Sequence, residues 1–383
     1  MKINKRNPRH WAYAGGSFLC MTIGLLTRPF VRRDPTFVLL YGHRLNGNLK
    51  SLYAALDTAD DFDVAYVTLD PDYYRDLVAA GFKCVLGFST ECLRAIGRAS
   101  TMVTDHGPQF MALFPLVSDL RFVDVWHGIP FKGWDESEFA ALRRYDEIWA
   151  PSELIRDIYV DQFRFAPAQV RTTGYGRTDR LVTQSDDLDS IRSDLGLEDR
   201  KTVLFAPTWS HGTNRNIIPF GLRPEEFLHS VSRVVNDRDA ILVVRAHLNT
   251  ELRAAPTDDS IRFLPSEQYP DTEAVLLVTD VLICDWSSIV FDFLLLDRPT
   301  IFLDEPAPFP MGFTLDPSYR FGSIVGDMPT LESTLARYLD DPRSYVNENG
   351  ARPQEVRQKV YGTMADGRAS GRYVDALRAM VDV

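Results

Sequence analysis

Cysteine is scarce in this chain of 383 residues. Cys20, Cys84, Cys92 and Cys284 are its four cysteines, all in apolar surroundings and none in a CxxC spacing. That pattern excludes a zinc-ligand set or a disulfide framework and reads as reduced core residues of a cytosolic protein. Positive charge is also in deficit. A formal net charge of −11 excludes a general nucleic-acid binder, whose footprint is basic. No internal repeat or low-complexity tract occurs. Nor is there a hydrophobic run of the length a membrane-spanning helix needs, about 20 residues. The uncharged stretch Trp11 to Thr27 is shorter and is interrupted by Gly15 and Gly16. It ends in Thr27-Arg28-Pro29, not in the small residues of a cleavable signal. Lys2, Lys5, Arg6 and Arg9 precede it, and Arg28, Arg32 and Arg33 follow. Basic and aromatic flanks around a short apolar segment predict that residues 1–33 lie on an anionic membrane surface, at its cytoplasmic face. A helix packed on the body of the protein is the plainer alternative.

A hydrophobic content of 45% over this length supports two domains, each with its own core. From Thr36 onward, short β-branched runs alternate with helical patterns. Strands are predicted at Phe37–Tyr41, Val64–Leu69, Cys84–Phe88, Met102–Thr104, Phe122–Trp126 and Glu147–Trp149, with helices at Asn48–Leu56, Pro71–Ala80 and Ser152–Gln162. The theme repeats, with strands at Val203–Phe205, Ile241–Arg245, Arg262–Leu264, Val281–Cys284 and Thr300–Leu303. Helices are predicted there at Pro224–Val235, Thr272–Val278, Ser287–Leu296 and Thr330–Leu339. The alternation predicts an α/β fold with two Rossmann-like parallel-sheet domains facing a cleft. The domains are assigned to 34–182 and 202–350, joined by an Asp- and Ser-rich linker at 183–201. Residues 351–383 read as two helices, broken near Asp366-Gly367, that pack back on the first domain.

Chemistry concentrates where strands end. Val281-Leu-Ile-Cys-Asp-Trp-Ser-Ser-Ile-Val-Phe-Asp-Phe breaks an apolar run at Asp285, passes through Ser287 and Ser288, and starts a second apolar run. A strand turning into a helix there presents N–H groups, hydroxyls and a positive dipole end to a phosphate. In Val125-Trp-His-Gly-Ile-Pro-Phe-Lys-Gly-Trp134 a strand delivers His127 to its tip, with Lys132 close behind. An imidazole so placed suits general-base work; a lone histidine would read as a buried structural residue, but the Gly, Pro and Lys beside it favour a site. Val203-Leu-Phe-Ala-Pro-Thr208 ends a buried strand at Thr208, where anion binding and plain turn chemistry explain the residue equally well. Strand alternation points Arg245 and His247 the same way, as two cations for a pyrophosphate, or leaves Arg245 as a structural ion-pair residue. Thr173-Gly-Tyr-Gly-Arg-Thr-Asp179 reads as a hinge whose Arg177 and Asp179 cap a helix or face the cleft.

HGIPFKGW, FAPTW, RAH and CDWSSIVFDF, in this order and spacing, resemble the CDP-glycerol glycerophosphotransferase family of teichoic-acid primases and polymerases and related capsule polymerases. The resemblance runs from about Tyr41, including Gly47-Asn48-Leu49-Lys50-Ser51-Leu52-Tyr53, to about Tyr338, and its first and last motifs are the specific ones. It implies a bacterial, membrane-associated transferase of the GT-B architecture. Such an enzyme directs an acceptor hydroxyl, on a cell-surface glycan or lipid-linked acceptor, at the β-phosphate of CDP-glycerol or a related CDP-polyol and releases CMP. On that analogy His127 is the catalytic base and His247 a second essential histidine near the diphosphate. Asp285, Ser287 and Ser288 match the segment that lines the donor pocket, and the strand-end reading adds Lys132, Thr208 and Arg245 as expected donor-phosphate residues. The resemblance implies no metal and no cofactor, and no Asp-x-Asp motif stands beside the site; protein cations and helix N-termini take the role of Mg²⁺. Relatives often carry Tyr at Trp286, Leu at Phe131, and Pro at Leu248 and Gly176, which leaves the transferred polyol phosphate and the acceptor open. Two other readings stay open: a GT-B glycosyltransferase with a nucleotide-sugar donor, and a non-catalytic membrane-associated nucleotide-binding scaffold.

Overall fold

The computed structural model of the chain describes residues 7–107, 109–208, 218–245 and 259–381. They form two compact units. The first comprises Met1–His127, Asp135–Asp179 and Met364–Val383; the second comprises Gly128–Trp134 and Arg180–Thr363.

Seven strands make the sheet of the first unit: β1 (Phe37–Tyr41), β2 (Asp63–Thr68), β3 (Cys84–Leu86), β4 (Thr101–Thr104), β5 (Arg121–Asp124), β6 (Glu147–Ala150) and β7 (Val170–Thr172). All pairings are parallel, in the order β3-β2-β1-β4-β5-β6-β7. Strands β1 and β4 are buried throughout, as central parallel strands covered on both faces must be. The helices are α1 (Pro8–Thr27), α2 (Gly47–Asp57), α3 (Pro71–Ala79), α4 (Thr90–Arg98), α5 (Phe114–Val117) and α6 (Glu153–Asp161), and α7 (Arg177–Thr183) runs from the first unit into the second. Asp70, Ser89 and Ser152 cap α3, α4 and α6 by accepting from backbone N–H groups of the first turn.

Helix α1 packs on α4, burying Ala14, Ser17, Met21, Gly24 and Leu25. A Cβ at Gly24 would meet Ile96 at 2.9 Å, so the close approach needs glycine. Arg28 follows directly and is buried, donating to Asp119 at 2.6 Å and to the carbonyls of Ile96 and Ala99 at 2.8 and 2.7 Å. The packed helix is thus the plainer of the two alternatives for this segment. Yet Trp11, Phe18, Leu19, Ile23 and Leu26 remain exposed on it. Among the described residues no helix is long and apolar enough to cross a membrane.

In the second unit α8 (Leu188–Leu195) leads into β8 (Lys201–Phe205), α9 (Pro224–Asn236), β9 (Ala240–Val244), β10 (Ile261–Phe263), α10 (Thr272–Leu277), β11 (Val281–Cys284) and α11 (Ile289–Leu294). Then come β12 (Thr300–Leu303), β13 (Ser323–Val325), α12 (Met328–Asp340), α13 (Arg343–Asn349) and α14 (Arg352–Tyr361). The strands are again parallel, in the order β10-β9-β8-β11-β12-β13. Phe205, Phe227, Val244, Ile283 and Leu335 belong to one core between this sheet and its helices. Each sheet therefore reverses its winding beside its first strand, between β1 and β4 and between β8 and β11. Ligands of such sheets bind outside the strand ends at that reversal.

After Thr363 the chain returns to the first unit as α15 (Ala369–Val381). Asp179 caps this helix, accepting from the N–H groups of Ala369 and Ser370 at 2.9 and 2.8 Å. Tyr373 stacks on Trp149 with ring centroids 4.9 Å apart. Its hydroxyl accepts from Gly176 N at 3.0 Å and donates to Gly174 O at 3.2 Å. A Cβ at residue 176 would stand 2.8 Å from the Tyr373 ring, so this close approach needs glycine.

The two expected sheets are present, and every strand expected from the sequence has its counterpart within a residue or two. Edge strands β7 and β13 were not expected; each has only three residues and is partly exposed, so no apolar run announces it. The helix expected at Ser287–Leu296 is shorter. It starts at Ile289, and Ser288 precedes it in αR conformation without a side-chain capping bond.

Tyr373→Ala removes a stacked ring and leaves Gly176 N unpaired. Denaturant unfolding is expected to show a loss of about 3–5 kcal/mol, with the Trp149 emission shifted by exposure of its face.

Candidate active site

In the first unit the ends of β1, β4 and β5 gather three imidazoles. Asp124, the last residue of β5, is fully buried and organises two of these ends. Its carboxylate accepts from Thr104 Oγ1 at 2.5 Å and Gly107 N at 3.0 Å, and from Trp126 N at 2.8 Å. Trp126 adopts a left-handed conformation, φ 49°, that non-glycine residues seldom take, and this turn aims the next residue, His127. Asn48, at the start of α2, holds the same turn by donating to the carbonyls of Val125 and Trp126 at 3.1 and 3.0 Å. Arg177 donates to the carbonyl of His127 at 2.6 Å.

His127 Nδ1 lies 2.9 Å from the backbone carbonyl of Asp105. A carbonyl only accepts, so Nδ1 carries the proton, and the neutral ring keeps its Nε2 lone pair. The ring stacks flat on His106, centroids 4.1 Å apart and planes 4° apart, and His43 tilts against His106 at 4.7 Å. His106 Nδ1 lies 2.7 Å from the Asp105 carboxylate. Gly42 makes room for that carboxylate, since a Cβ there would meet Asp105 Oδ1 at 2.5 Å. Burial raises the Asp105 and Asp124 carboxyls to about 7. Desolvation and the neighbouring His106 hold His127 below the usual imidazole range, and desolvation does the same for His106. Among the described residues no group of His, Cys, Asp or Glu has metal-holding geometry, so the three imidazoles do not form a metal cage.

In the second unit the strand ends flanking the reversal meet directly. Thr208, beyond β8, donates from its N–H and hydroxyl to Asp285 Oδ1 at 2.7 and 2.5 Å, and its hydroxyl oxygen accepts from Trp286 N at 3.1 Å. Trp286 is buried, donates from Nε1 to Glu305 O at 2.7 Å, and carries the Arg320 guanidinium 4.3 Å from its ring centroid. Ser287 and Ser288 follow, both half-buried.

Residues Gly128–Trp134, which follow His127 directly, belong to this second unit. Lys132 bridges Phe313 in antiparallel fashion, Gly133 N donates to Gly312 O at 2.8 Å, and Thr314 N donates to Phe131 O at 3.1 Å. A Cβ at Gly133 would lie 2.5 Å from Met311 O, so the strap lies flat on the 311–314 backbone only as glycine. Phe131 packs edge-on against Trp286 and Phe291, at 5.6 and 5.2 Å. The two positions that depart from the family pattern in these motifs, Phe131 and Trp286, are therefore partners in one aromatic cluster. The Lys132 ammonium sits 4.4 Å from the Trp134 ring centroid.

The structure thus places Thr208, Asp285, Ser287 and Ser288 at one corner of the second unit, with Lys132 on the strap of that unit. Arg245 is turned inward. It is buried and donates to Leu264 O at 3.1 Å and Thr272 Oγ1 at 2.9 Å, the structural placement left open by the sequence, although its partners are neutral oxygens. His247 and residues 209–212 lie outside the described residues. Sequence reasoning missed His43, Asp105, His106, Asp124 and Arg320. The first three were accessible to the criterion that found His127, because Gly42-His43 and Asp105-His106-Gly107 also end strands in polar residues beside glycine.

Residues 23–378 match the family described as CDP-glycerol:poly(glycerophosphate) glycerophosphotransferase. The chain is 24% identical over 363 residues to the teichoic acid glycerol-phosphate transferase of Staphylococcus aureus, covering 88% of this chain and 90% of that protein. It is 26% identical over 263 residues to the teichoic acid poly(glycerol phosphate) polymerase of Staphylococcus epidermidis, covering 61% of this chain but only 34% of that longer protein. Its fold is that of the wall teichoic acid polymerase TagF, with a TM-score of 0.77 at 18% identity and 97% of each chain covered. Two parallel sheets of GT-B type, the strand-end motifs and the family match over residues 23–378 agree: the chain belongs to the CDP-glycerol:poly(glycerophosphate) glycerophosphotransferase family and is a transferase.

Proposed function

We propose that the protein transfers glycerol phosphate, or a related polyol phosphate, from a CDP-activated donor to a hydroxyl of a cell-surface glycan or lipid-linked acceptor, with release of CMP. The observation that carries the base assignment is the His127 Nδ1 contact with the Asp105 carbonyl, which leaves Nε2 as a proton acceptor at a strand end. In the transfer, the acceptor oxygen forms a bond to the β-phosphorus as its proton passes to His127 Nε2. The bond from that phosphorus to the bridging oxygen breaks, and the electron pair leaves with CMP. Asp285 is held by Thr208 and supports the turn in which Ser287 and Ser288 offer hydroxyls and N–H groups to the donor phosphates. Lys132 offsets charge on the transferring group, and the family pattern assigns His247 to the diphosphate. Arg245 supports this side from behind through Leu264 and Thr272.

Incubation with CDP-glycerol and an oligomeric or lipid-linked glycerol-phosphate acceptor is expected to release CMP. His127→Ala is expected to lower kcat by about 10²–10⁴-fold, with an unchanged melting temperature. Near-wild-type turnover by that variant would remove the base assignment, and turnover of a UDP-sugar in place of CDP-glycerol would redirect the donor.

The reading includes peripheral association with an anionic membrane surface at its cytoplasmic face. Supporting it are exposed apolar side chains on α1, the turn after it and α5. Leu19, Leu26 and Phe30 are 60%, 69% and 88% exposed on α1 and the turn after it, and Leu116 and Val117 are 60% and 72% exposed on α5. The Phe18 and Phe114 rings join the two elements at 5.6 Å. Arg9 stands in the first turn of α1 and Arg32 beyond the turn that follows it, both exposed, as basic flanks that suit the headgroup layer. The variant Leu19→Glu/Leu26→Glu/Val117→Glu changes only exposed positions. Cosedimentation with anionic vesicles should fall sharply while thermal stability stays put; unchanged sedimentation would discard the surface.

A further inference from the structure

The proposed transfer uses one of the three imidazoles at the ends of β1, β4 and β5 and leaves two, with a buried carboxylate, unaccounted for. One residue connects them. Asp105 presents its backbone carbonyl to His127 Nδ1 at 2.9 Å and its side-chain carboxylate to His106 Nδ1 at 2.7 Å. It is 3% exposed. The same residue therefore sets the tautomer of both rings, and the two rings lie parallel in contact.

Among the described residues, charged and titratable groups around this stack come from five elements. The end of β1 contributes Tyr41 and His43, β2 contributes Tyr66, and the end of β4 contributes Asp105 and His106. From β5 come Asp124 and, beyond it, His127; from α7 comes Arg177. His127 is exposed on part of its surface and covered on one ring face by His106, and a proton arriving on its Nε2 makes the ring a cation there. Arg177 opposes that charge and Asp105 favours it. A neutral ring stacked on the cation keeps water off its face, and a carboxylate one residue away offsets it.

Resting on the reading of His127 as base, we infer that Asp105 and His106 are positioning residues for the transfer step: the carboxylate holds His106 flat against His127 and offsets the charge that His127 acquires. The acceptor's proton goes to His127 Nε2 and from there to solvent after CMP leaves; Asp105 does not take it. The arrangement also predicts an acid limb in the rate. As pH falls through the range near 7, to which burial raises the Asp105 carboxyl, the offsetting charge is lost while His127, held lower, remains neutral. Asp124, raised to the same range, is the competing source of such a limb.

The test measures kcat and KM for CMP release from CDP-glycerol across pH 5 to 9, with the full chain and an oligomeric acceptor. D105N is expected to lower kcat by about ten- to a hundred-fold, to leave the KM for CDP-glycerol unchanged, and to abolish the acid limb. H106F keeps a stacked ring but has no Nδ1–H for the carboxylate; a loss of about tenfold in kcat with an altered limb is expected. H106F leaves Asp105 in place and reads the pair independently if D105N does not fold. Wild-type kcat and pH profile in both variants would overturn the inference, as would an acid limb that survives in D105N, which would belong to Asp124. Because H127A is measured alongside, an inactive H127A with normal D105N and H106F sinks only this inference, whereas an active H127A sinks the base reading itself.

Discussion

The site in the first unit depends on one buried carboxylate, Asp124, that closes the ends of two strands. A carboxylate with no exposure is costly unless its oxygens find donors, and here the Thr104 hydroxyl and two backbone N–H groups supply them. Those bonds hold the chain after β4 and after β5 in fixed turns. Asp105 and His106 leave the first turn, Trp126 and His127 the second, so the rings meet because the turns beneath them are braced. The left-handed Trp126 is part of that arrangement. Its strain is held by the bond to Asp124 and by Asn48 across the turn.

The two units apply one topological device to different chemistry. In both, strands run 3-2-1-4-5-6 and the winding reverses beside the first strand, where neighbouring helices diverge and leave the strand ends open. The first unit lines that opening with imidazoles and carboxylates, groups that move or offset protons. In the second, Thr208 commits its N–H and its hydroxyl proton to Asp285, and the two half-buried serines follow from that corner. Transfer of a phosphoryl alcohol needs little more of a protein than placement and charge stabilisation.

Phe131 and Trp286 are packing partners, with Arg320 over the indole. The strap from Gly128 to Trp134 is thereby fixed to the 311–314 loop by rings as well as by backbone hydrogen bonds. At Gly176 the close approach of Tyr373 leaves no room for a Cβ.

Much of this was legible in the sequence. β-branched runs located every strand except the edge strands β7 and β13, the polar break at Asp285 and the tip at His127 marked two strand ends for attention, and four motifs in order pointed to the family. Those features are local, written in residues that touch their sequence neighbours. What tertiary structure alone decided depends on partners far apart in the chain. Asp105 meets His127 across 22 positions, and Thr208 meets Asp285 across 77. Arg245 turns inward to Leu264 and Thr272, α15 returns to cap on Asp179, and residues 128–134 join the second unit. Periodicity shows which face of a strand is buried; which remote hydrogen-bonding group waits there is determined only when strands pair, because a buried polar atom takes whatever partner the sheet order brings beside it.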